Sequence, residues 1–124
     1  MDTGLGDCYR AAGRLLMNSH FNRRPPFLPE GEIILVHGRP TLTIEPFAKY
    51  DHAWLEVGEF CIDAERELIF PKILFYLVGK VDPKECSYYN YEQFRVFIAV
   101  SEHWGPWEDS ELLTIAKNRG NLEK

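Results

Sequence analysis

The sequence predicts a small α+β domain in which a cysteine-bearing helix packs on an antiparallel β-sheet. An amphipathic segment over Asp7–Asn18 has the apolar spacing of a helix. Two segments with the composition of strands, His52–Val57 and Phe60–Asp63, are separated by only two residues, as in a β-hairpin. A second helical pattern covers Asp109–Lys117. The length of 124 residues suits a single domain over 1–124.

The composition is that of a packed globular protein. Hydrophobic residues make up 45% of the chain, and three Trp, six Tyr and eight Phe provide enough apolar surface for a core. The net charge of −5 and the lack of a long Lys/Arg run argue against a nucleic-acid partner. No apolar stretch approaches the roughly 20 residues that span a membrane, so we expect no membrane partner.

The N-terminus and the cysteines predict a cytoplasmic protein. The N-terminus lacks a basic segment followed by an apolar one, which is the pattern of a secretory signal. Cys8, Cys61 and Cys86 are odd in number and widely spaced, which is not typical of a disulfide framework. The CxxC and HxxxH spacings that would indicate a zinc site do not occur, so we expect neither a metal nor a cofactor.

The remaining elements are predicted from short patterns. A β-branched run over Glu32–His37 predicts a strand, and Thr41–Ile44 is a candidate for another short one. Ile69–Val78 is ambiguous between strand and helix, with a break expected near Pro71. Tyr91–Val100 has apolar residues at alternating positions and favours a strand, although its first four residues could begin a helix.

The predicted hairpin determines which side chains share a face of the sheet. A two-residue turn pairs Val57 with Phe60 and, further along the ladder, Trp54 with Asp63. Side chains alternate between faces and paired residues share a face, so the hairpin has one mainly polar and one apolar face. The first carries His52, Trp54, Glu56, Cys61 and Asp63, and the second, expected in the core, carries Leu55, Val57, Phe60 and Ile62.

Three residues at the ends of these elements suggest a cysteine nucleophile with its base. Cys8 lies in the first turn of the predicted helix, where the partial positive charge of the N-terminus lowers the pKa of a thiol. His52 would accept the thiol proton, and Asp63, diagonally across the hairpin, would fix the tautomer of the imidazole. The backbone N–H of Cys8 points to where an oxyanion would form.

Each of these residues also has an ordinary structural interpretation. A helical cysteine is often a small buried hydrophobe. A histidine flanked by apolar residues, such as His52, is often a satisfied core or rim residue, and Asp63 could cap a turn at Ala64. Cys61 shares the face of Asp63 and is an alternative nucleophile, although a mid-strand position lacks the helix N-terminus. Trp104 and Trp107, in the segment HWGPW, either cover the core or line a substrate groove.

The other histidines and the last cysteine belong to no motif. His37 ends the predicted strand before a glycine and is interpreted as a solvated edge residue. His20 follows the first predicted helix, and His103 lies beside the two late tryptophans. Cys86 is expected in a loop, where it would be structural or exposed.

The motifs resemble those of the transglutaminase-like branch of the papain-like cysteine enzymes. The resembling segments are GDCYRAAGRLL, EIILVHG and HAWLEVGEFCIDA, about the first half of the chain. In that family a Gly-x-Cys motif begins the nucleophile helix, a His-Ala-Trp-x-Glu strand carries the histidine, and the next strand delivers the aspartate. The resemblance implies a papain/transglutaminase-like fold, of the minimal kind found in small bacterial or phage proteins.

The resemblance also implies roles for particular residues. Cys8 would be the nucleophile, His52 the general base and acid, and Asp63 its orienting partner, with Trp54 and Glu56 as supporting residues. The implied activity is cysteine-dependent hydrolysis or acyl transfer on a peptide or protein substrate, through a thioester and without a cofactor. The family includes inactive members, so the alternative is a non-catalytic binding module that retains the fold.

One feature of papain relatives has no counterpart in this chain. Many of them take a second oxyanion donor from a glutamine upstream of the nucleophile. None of the seven residues before Cys8 is a glutamine. The sequence therefore does not identify an oxyanion donor beyond the amide of Cys8, and it does not distinguish hydrolysis, transfer and deamidation.

Overall fold

A computed structural model describes residues 7–21 and 24–107, and it has the predicted α+β class. Within these residues, five strands form one antiparallel sheet in the order β4–β3–β2–β1–β5, and three α-helices lie on its two faces. The elements are α1 (Asp7–Phe21), β1 (Ile33–Gly38), β2 (His52–Val57), β3 (Phe60–Asp63), β4 (Leu68–Pro71), α2 (Lys72–Val78), β5 (Ser87–Tyr89) and α3 (Tyr91–Ser101). The helix expected over Asp109–Lys117 lies outside the described residues.

The hairpin of β2 and β3 has the predicted bounds and register. Val57 pairs with Phe60 across the two-residue turn, and Leu55 pairs with Ile62. Gly58, the first residue of this turn, has φ +57°, a conformation that glycine adopts without steric cost and that two-residue hairpins require. The predicted register is therefore confirmed for the three pairs from Leu55–Ile62 to Val57–Phe60.

The strand predicted over Tyr91–Val100 is wrong, because this segment is the helix α3. Asn90 caps it: its Oδ1 accepts from the backbone N–H of Gln93 at 2.9 Å, and Gln93 Oε1 accepts from the N–H of Asn90 at 3.0 Å. Phe94 and Phe97 then point to the core together at helical spacing. The capping box and this spacing outweigh the alternating pattern.

The two other uncertain segments are explained by turns and a proline. The segment Ile69–Val78, which was ambiguous between strand and helix, contains both, since β4 ends at Pro71 and α2 begins at Lys72. The candidate strand Thr41–Ile44 forms only a single bridge, between Thr41 and Lys49. The chain reverses just after Thr41, where the N–H of Phe47 donates to the carbonyl of Ile44 at 2.8 Å.

The sheet is covered on both faces. On the face that we call the α1 face, Leu35, Leu55 and Ile62 pack under α1 and α3. On the opposite face, called the α2 face, Trp54 and Cys61 pack with the partly buried aromatic rings of α2. Phe60, expected in the core, is 41% exposed at the turn of the hairpin. No helix in the described part of the chain is long and apolar enough to cross a membrane.

Candidate active site

Cys8 lies in the first turn of α1 and is almost fully buried on the α1 face. Its neighbour across the interface is Ala53, the second residue of β2, and both belong to the same apolar cluster. The backbone amide of Ala53 favours the thiolate form of Cys8. The predicted nucleophile helix and the predicted histidine strand therefore meet at Cys8.

The surroundings of Cys8 do not give the acidic thiol that the helix terminus predicted. Burial raises the pKa of Cys8 above its ordinary value, and the negative charge of Glu65 raises it further. The amides of Ala53, Tyr9 and Cys8 itself lower the pKa, in the direction expected of a helix N-terminus, but they do not outweigh burial. The resting side chain is therefore a neutral thiol.

His52 begins β2 and turns its ring to the α2 face. Its ring stacks on Trp54, with centroids 6.0 Å apart, and lies 5.4 Å from the ring of Tyr50. Across the ladder from His52, Gly38 leaves space for the indole of Trp54, since a Cβ at Gly38 would lie 2.5 Å from that ring. Burial lowers the pKa of His52, whereas the charge of Asp63 raises it. His52 is therefore a neutral imidazole within the electrostatic reach of Asp63.

Asp63 caps a turn, which was the structural alternative to its predicted catalytic role. Its Oδ1 accepts from the backbone N–H of Arg66 at 3.2 Å, which stabilises the turn after β3. In the described structure no hydrogen bond joins Asp63 to the ring of His52. Asp63 thus acts on His52 through its charge.

Tyr50 is a residue of this site that sequence reasoning missed. It precedes His52 by two residues, and its ring is half-buried beside the imidazole. Burial raises the pKa of Tyr50, the charge of Asp63 raises it further, and a thiolate at Cys8 would raise it as well. Its phenol therefore lies near both the predicted nucleophile and the predicted orienting residue. The only indication in the sequence was its position in YDHAW.

Trp54 and Glu56 lie on the α2 face, away from Cys8, in a group that we call the Glu56 cluster. Glu56 is 5% exposed, and its Oε2 accepts from the indole Nε1 of Trp54 at 3.0 Å and from the hydroxyl of Tyr76. The ammonium group of Lys72 lies 3.2 Å from Oε1. Because Tyr76 and Lys72 belong to α2, the Glu56 cluster holds this helix on the sheet.

Cys61 belongs to the same cluster. Its thiol donates to Glu56 Oε2 at 3.8 Å, and it is 1% exposed. Burial raises its pKa, and the charge of Glu56 raises it further. The alternative assignment of Cys61 as the nucleophile therefore has no support from its surroundings, which keep it as a protonated thiol.

The two late tryptophans cover the core of the α1 face. Trp107 is buried, and its Nε1 donates to Ser101 Oγ at 2.9 Å. Trp104 is half-buried, stacks on Phe94 and covers Gly13 of α1, where an added Cβ would lie 2.6 Å from its ring. Of their two predicted roles, the described contacts support the covering of the core.

His37 is not the solvated edge residue that the sequence suggested. It is 7% exposed, because Tyr9 of α1, Tyr89 of β5 and Trp107 all pack on its ring. These three residues are distant from His37 in sequence. The burial of the imidazole therefore could not be predicted from the residues around it.

Among the described residues there is no group of three or more His, Cys, Asp or Glu side chains that could hold a metal ion. Comparison of the chain with protein-family models, with curated proteins and with solved structures finds no match.

Proposed function

We propose that the protein is a cysteine-dependent enzyme that hydrolyses or transfers an acyl group of a peptide or amide substrate. Cys8 is the nucleophile, His52 the general base and acid, and Asp63 the charge that stabilises the imidazolium. The observation that carries the proposal is the contact of the first turn of α1 with the start of β2, where Cys8 packs on Ala53, the residue that follows His52 in the chain. The sequence resemblance supports the same three residues.

The resting thiol and imidazole are both neutral, so the proposed chemistry is general-base catalysis. His52 removes the thiol proton as the sulfur attacks the carbonyl carbon, and the carbonyl oxygen becomes an oxyanion. The imidazolium then protonates the leaving amine as the C–N bond breaks, which leaves a thioester on Cys8. Water or a second amine attacks the thioester and releases the sulfur.

The position of His52 sets a requirement on this mechanism. Alternation along β2 turns its ring to the α2 face, whereas Cys8 lies on the α1 face. The imidazole must therefore reach the sulfur past the start of β2. Tyr50, whose pKa would be raised by a thiolate at Cys8, lies at this point.

An open groove of about 470 Å³ lies beside the site and could hold an extended substrate. It runs between α1 and the turn that follows β3, and Arg10, Arg14 and Glu65 line it together with small and apolar side chains. The charge of Glu65 acts on the thiol of Cys8, which relates the groove to the nucleophile.

The proposal is tested with p-nitrophenyl acetate as the acyl donor, by following p-nitrophenol release and mapping the acylated peptide. We expect acylation at Cys8 and none in Cys8→Ala. The matched control is Cys86→Ala, which removes a half-buried thiol elsewhere in the fold and should acylate normally. His52→Ala should slow acylation by about 10²–10⁴-fold. Normal turnover by a folded Cys8→Ala variant would contradict the assignment of the nucleophile.

A second candidate function is a protein-interaction module without chemistry. It is favoured by the apolar side chains that α2 and β4 expose, among which Ile73 is 81% and Leu77 74% exposed. An unacylated Cys8 in the folded wild-type protein would favour this function over the enzyme.

A further inference from the structure

We propose that His37 is an acid-sensitive switch, whose neutral ring holds the segment 102–107 on the sheet and whose protonation releases it. The evidence for the switch does not depend on the proposed catalysis. It rests on the burial of the imidazole, on the lack of hydrogen-bond partners for its nitrogens among the described residues, and on the segment that closes over it.

His37 lies where four parts of the chain meet. It pairs with Ala53 of β2, so its side chain points to the α1 face. Its ring centroid lies 4.8 Å from Tyr9, 5.1 Å from Tyr89 and 4.9 Å from Trp107. A single imidazole thus contacts α1, β5 and the segment 102–107.

Both ring nitrogens of His37 are buried, and neither has a hydrogen-bond partner in the described part of the chain. A phenylalanine would fill the same space without leaving polar atoms unsatisfied. A buried polar group without partners lowers stability and so requires an explanation other than stability.

The backbone of the segment 102–107 lies directly on the ring. A Cβ built at Gly105 would lie only 2.6 Å from Cε1 of His37, and Gly105 has φ +112°, which side-chain-bearing residues rarely adopt. The ring therefore has no room for a water molecule on this side. Hydration of a charged imidazole requires that the segment moves away.

The groups that face His37 in the described part of the chain provide no negative charge. From the elements packed against it, the titratable groups are Tyr9 of α1, Tyr89 of β5 and, beyond Trp107, His103. Burial raises the pKa of Tyr9, so its phenol stays neutral. The nearby Asp51 forms an ion pair with Arg39, whose Nε lies 3.2 Å from Asp51 Oδ1, so the negative charge of Asp51 is compensated there. Burial accordingly lowers the pKa of His37 from 6.5 to about 3.

The sign of the pH effect follows from this lowered pKa. Above pH 6.5 the ring is neutral whether the segment is closed or released, so the closed state has its full stability. Between pH 6.5 and about 3 only the released ring binds a proton. The equilibrium constant for release therefore rises about tenfold for each pH unit in this range.

The switch would also affect the end of α1 that carries Cys8. Tyr9, which packs edge-on to His37, is the next residue in the chain after Cys8. Release of the ring from its aromatic surroundings therefore loosens the packing around the first turn of α1.

Amide hydrogen exchange at pH 7 and pH 5, corrected for the intrinsic exchange rates, tests this proposal on the intact chain. We expect exchange in the segment 102–107 to increase on the order of 30-fold at pH 5, while β2 keeps its protection. His37→Phe should abolish the increase, because phenylalanine cannot be protonated. The matched control is His20→Phe, the same substitution at an exposed histidine, which should respond as the wild type does.

His37→Gln, which also cannot be protonated, replaces the phenylalanine variant if that protein does not fold. An NMR titration of the ring is a second measurement and should show His37 neutral at pH 5. The proposal is wrong if a folded variant lacking His37 keeps the pH response, or if the wild-type segment exchanges equally at both pH values. Loss of protection throughout the sheet at pH 5 would also overturn it, because that result is global acid unfolding.

Discussion

Among the described residues, each face of the sheet buries one side chain with a carboxyl or imidazole group, and the contacts of these two groups differ. Glu56 on the α2 face is 5% exposed and receives donors from Trp54, Lys72 and Tyr76. His37 on the α1 face is 7% exposed and has no hydrogen-bond partner among the described residues. Both groups lie among aromatic rings, so burial itself does not explain the difference. A buried group with partners fastens one element to another, whereas one without partners is sensitive to its own protonation.

The largest effect is expected from Glu56→Ala. Removal of the carboxylate leaves the indole of Trp54, the hydroxyl of Tyr76 and the ammonium group of Lys72 without their acceptor. We expect the free energy of unfolding to fall by about 3–5 kcal/mol in urea titrations. Glu59→Ala, at an exposed position of the same hairpin, is the matched control and should change it by less than about 0.5 kcal/mol. A loss below about 1 kcal/mol for Glu56→Ala would show that the cluster does not hold α2.

A smaller effect is expected from Tyr76→Phe, which removes one donor to Glu56. Because the lost hydrogen bond is to a buried carboxylate, the free energy of unfolding should fall by about 2 kcal/mol. The control is Tyr88→Phe, whose exposed hydroxyl lies 3.0 Å from that of Tyr76 and whose loss should cost under about 1 kcal/mol. Equal losses in the two variants would contradict the central position of Glu56.

The packing of the α1 face is tested by Gly13→Ala. An alanine Cβ would lie 2.6 Å from the ring of Trp104, so the indole must shift. Overpacking should cost more than the gain in helix propensity, and we expect a net loss of about 1 kcal/mol in thermal unfolding. Arg14→Ala, on the exposed side of the same helix, should be close to neutral. An increase in stability for Gly13→Ala would show that Trp104 is loosely held.

The smallest effect at neutral pH is expected from His37→Phe. The substitution removes from the core two nitrogens that have no hydrogen-bond partner among residues 7–21 and 24–107, so the free energy of unfolding at pH 7 should change by less than about 1 kcal/mol, measured in urea. A large loss would mean that the imidazole has stabilising contacts, and the contrast with Glu56 would then disappear.

Local sequence patterns predicted the hairpin of β2 and β3 but not the helix that covers it. The two-residue turn at Gly58 and the alternation along β2 gave the correct register, because both depend on neighbouring residues. They also identified Trp54 and Glu56 as residues of one face. The second layer over that face is formed by α2, whose pattern was ambiguous because Pro71 joins a strand directly to a helix.

The chemical state of the candidate site was less predictable. The position of Cys8 in the first turn of α1 followed from the sequence, and the amides of that turn act on the thiol in the predicted direction. Burial reverses the net effect on its pKa, and burial depends on β2 and other elements distant in sequence. The same limit applies to Tyr50 and His37, whose surroundings come from elsewhere in the chain.

The proposed general-base mechanism is tested most directly by the rate at which iodoacetamide alkylates Cys8 in the folded protein as a function of pH. Peptide mapping by mass spectrometry separates Cys8 from the other two cysteines. Because burial raises the pKa of Cys8 above 9.0, we predict a rate that rises about tenfold per pH unit through neutrality without levelling off below pH 9. A rate that is independent of pH below 7 would show a preformed thiolate and would contradict the neutral resting pair.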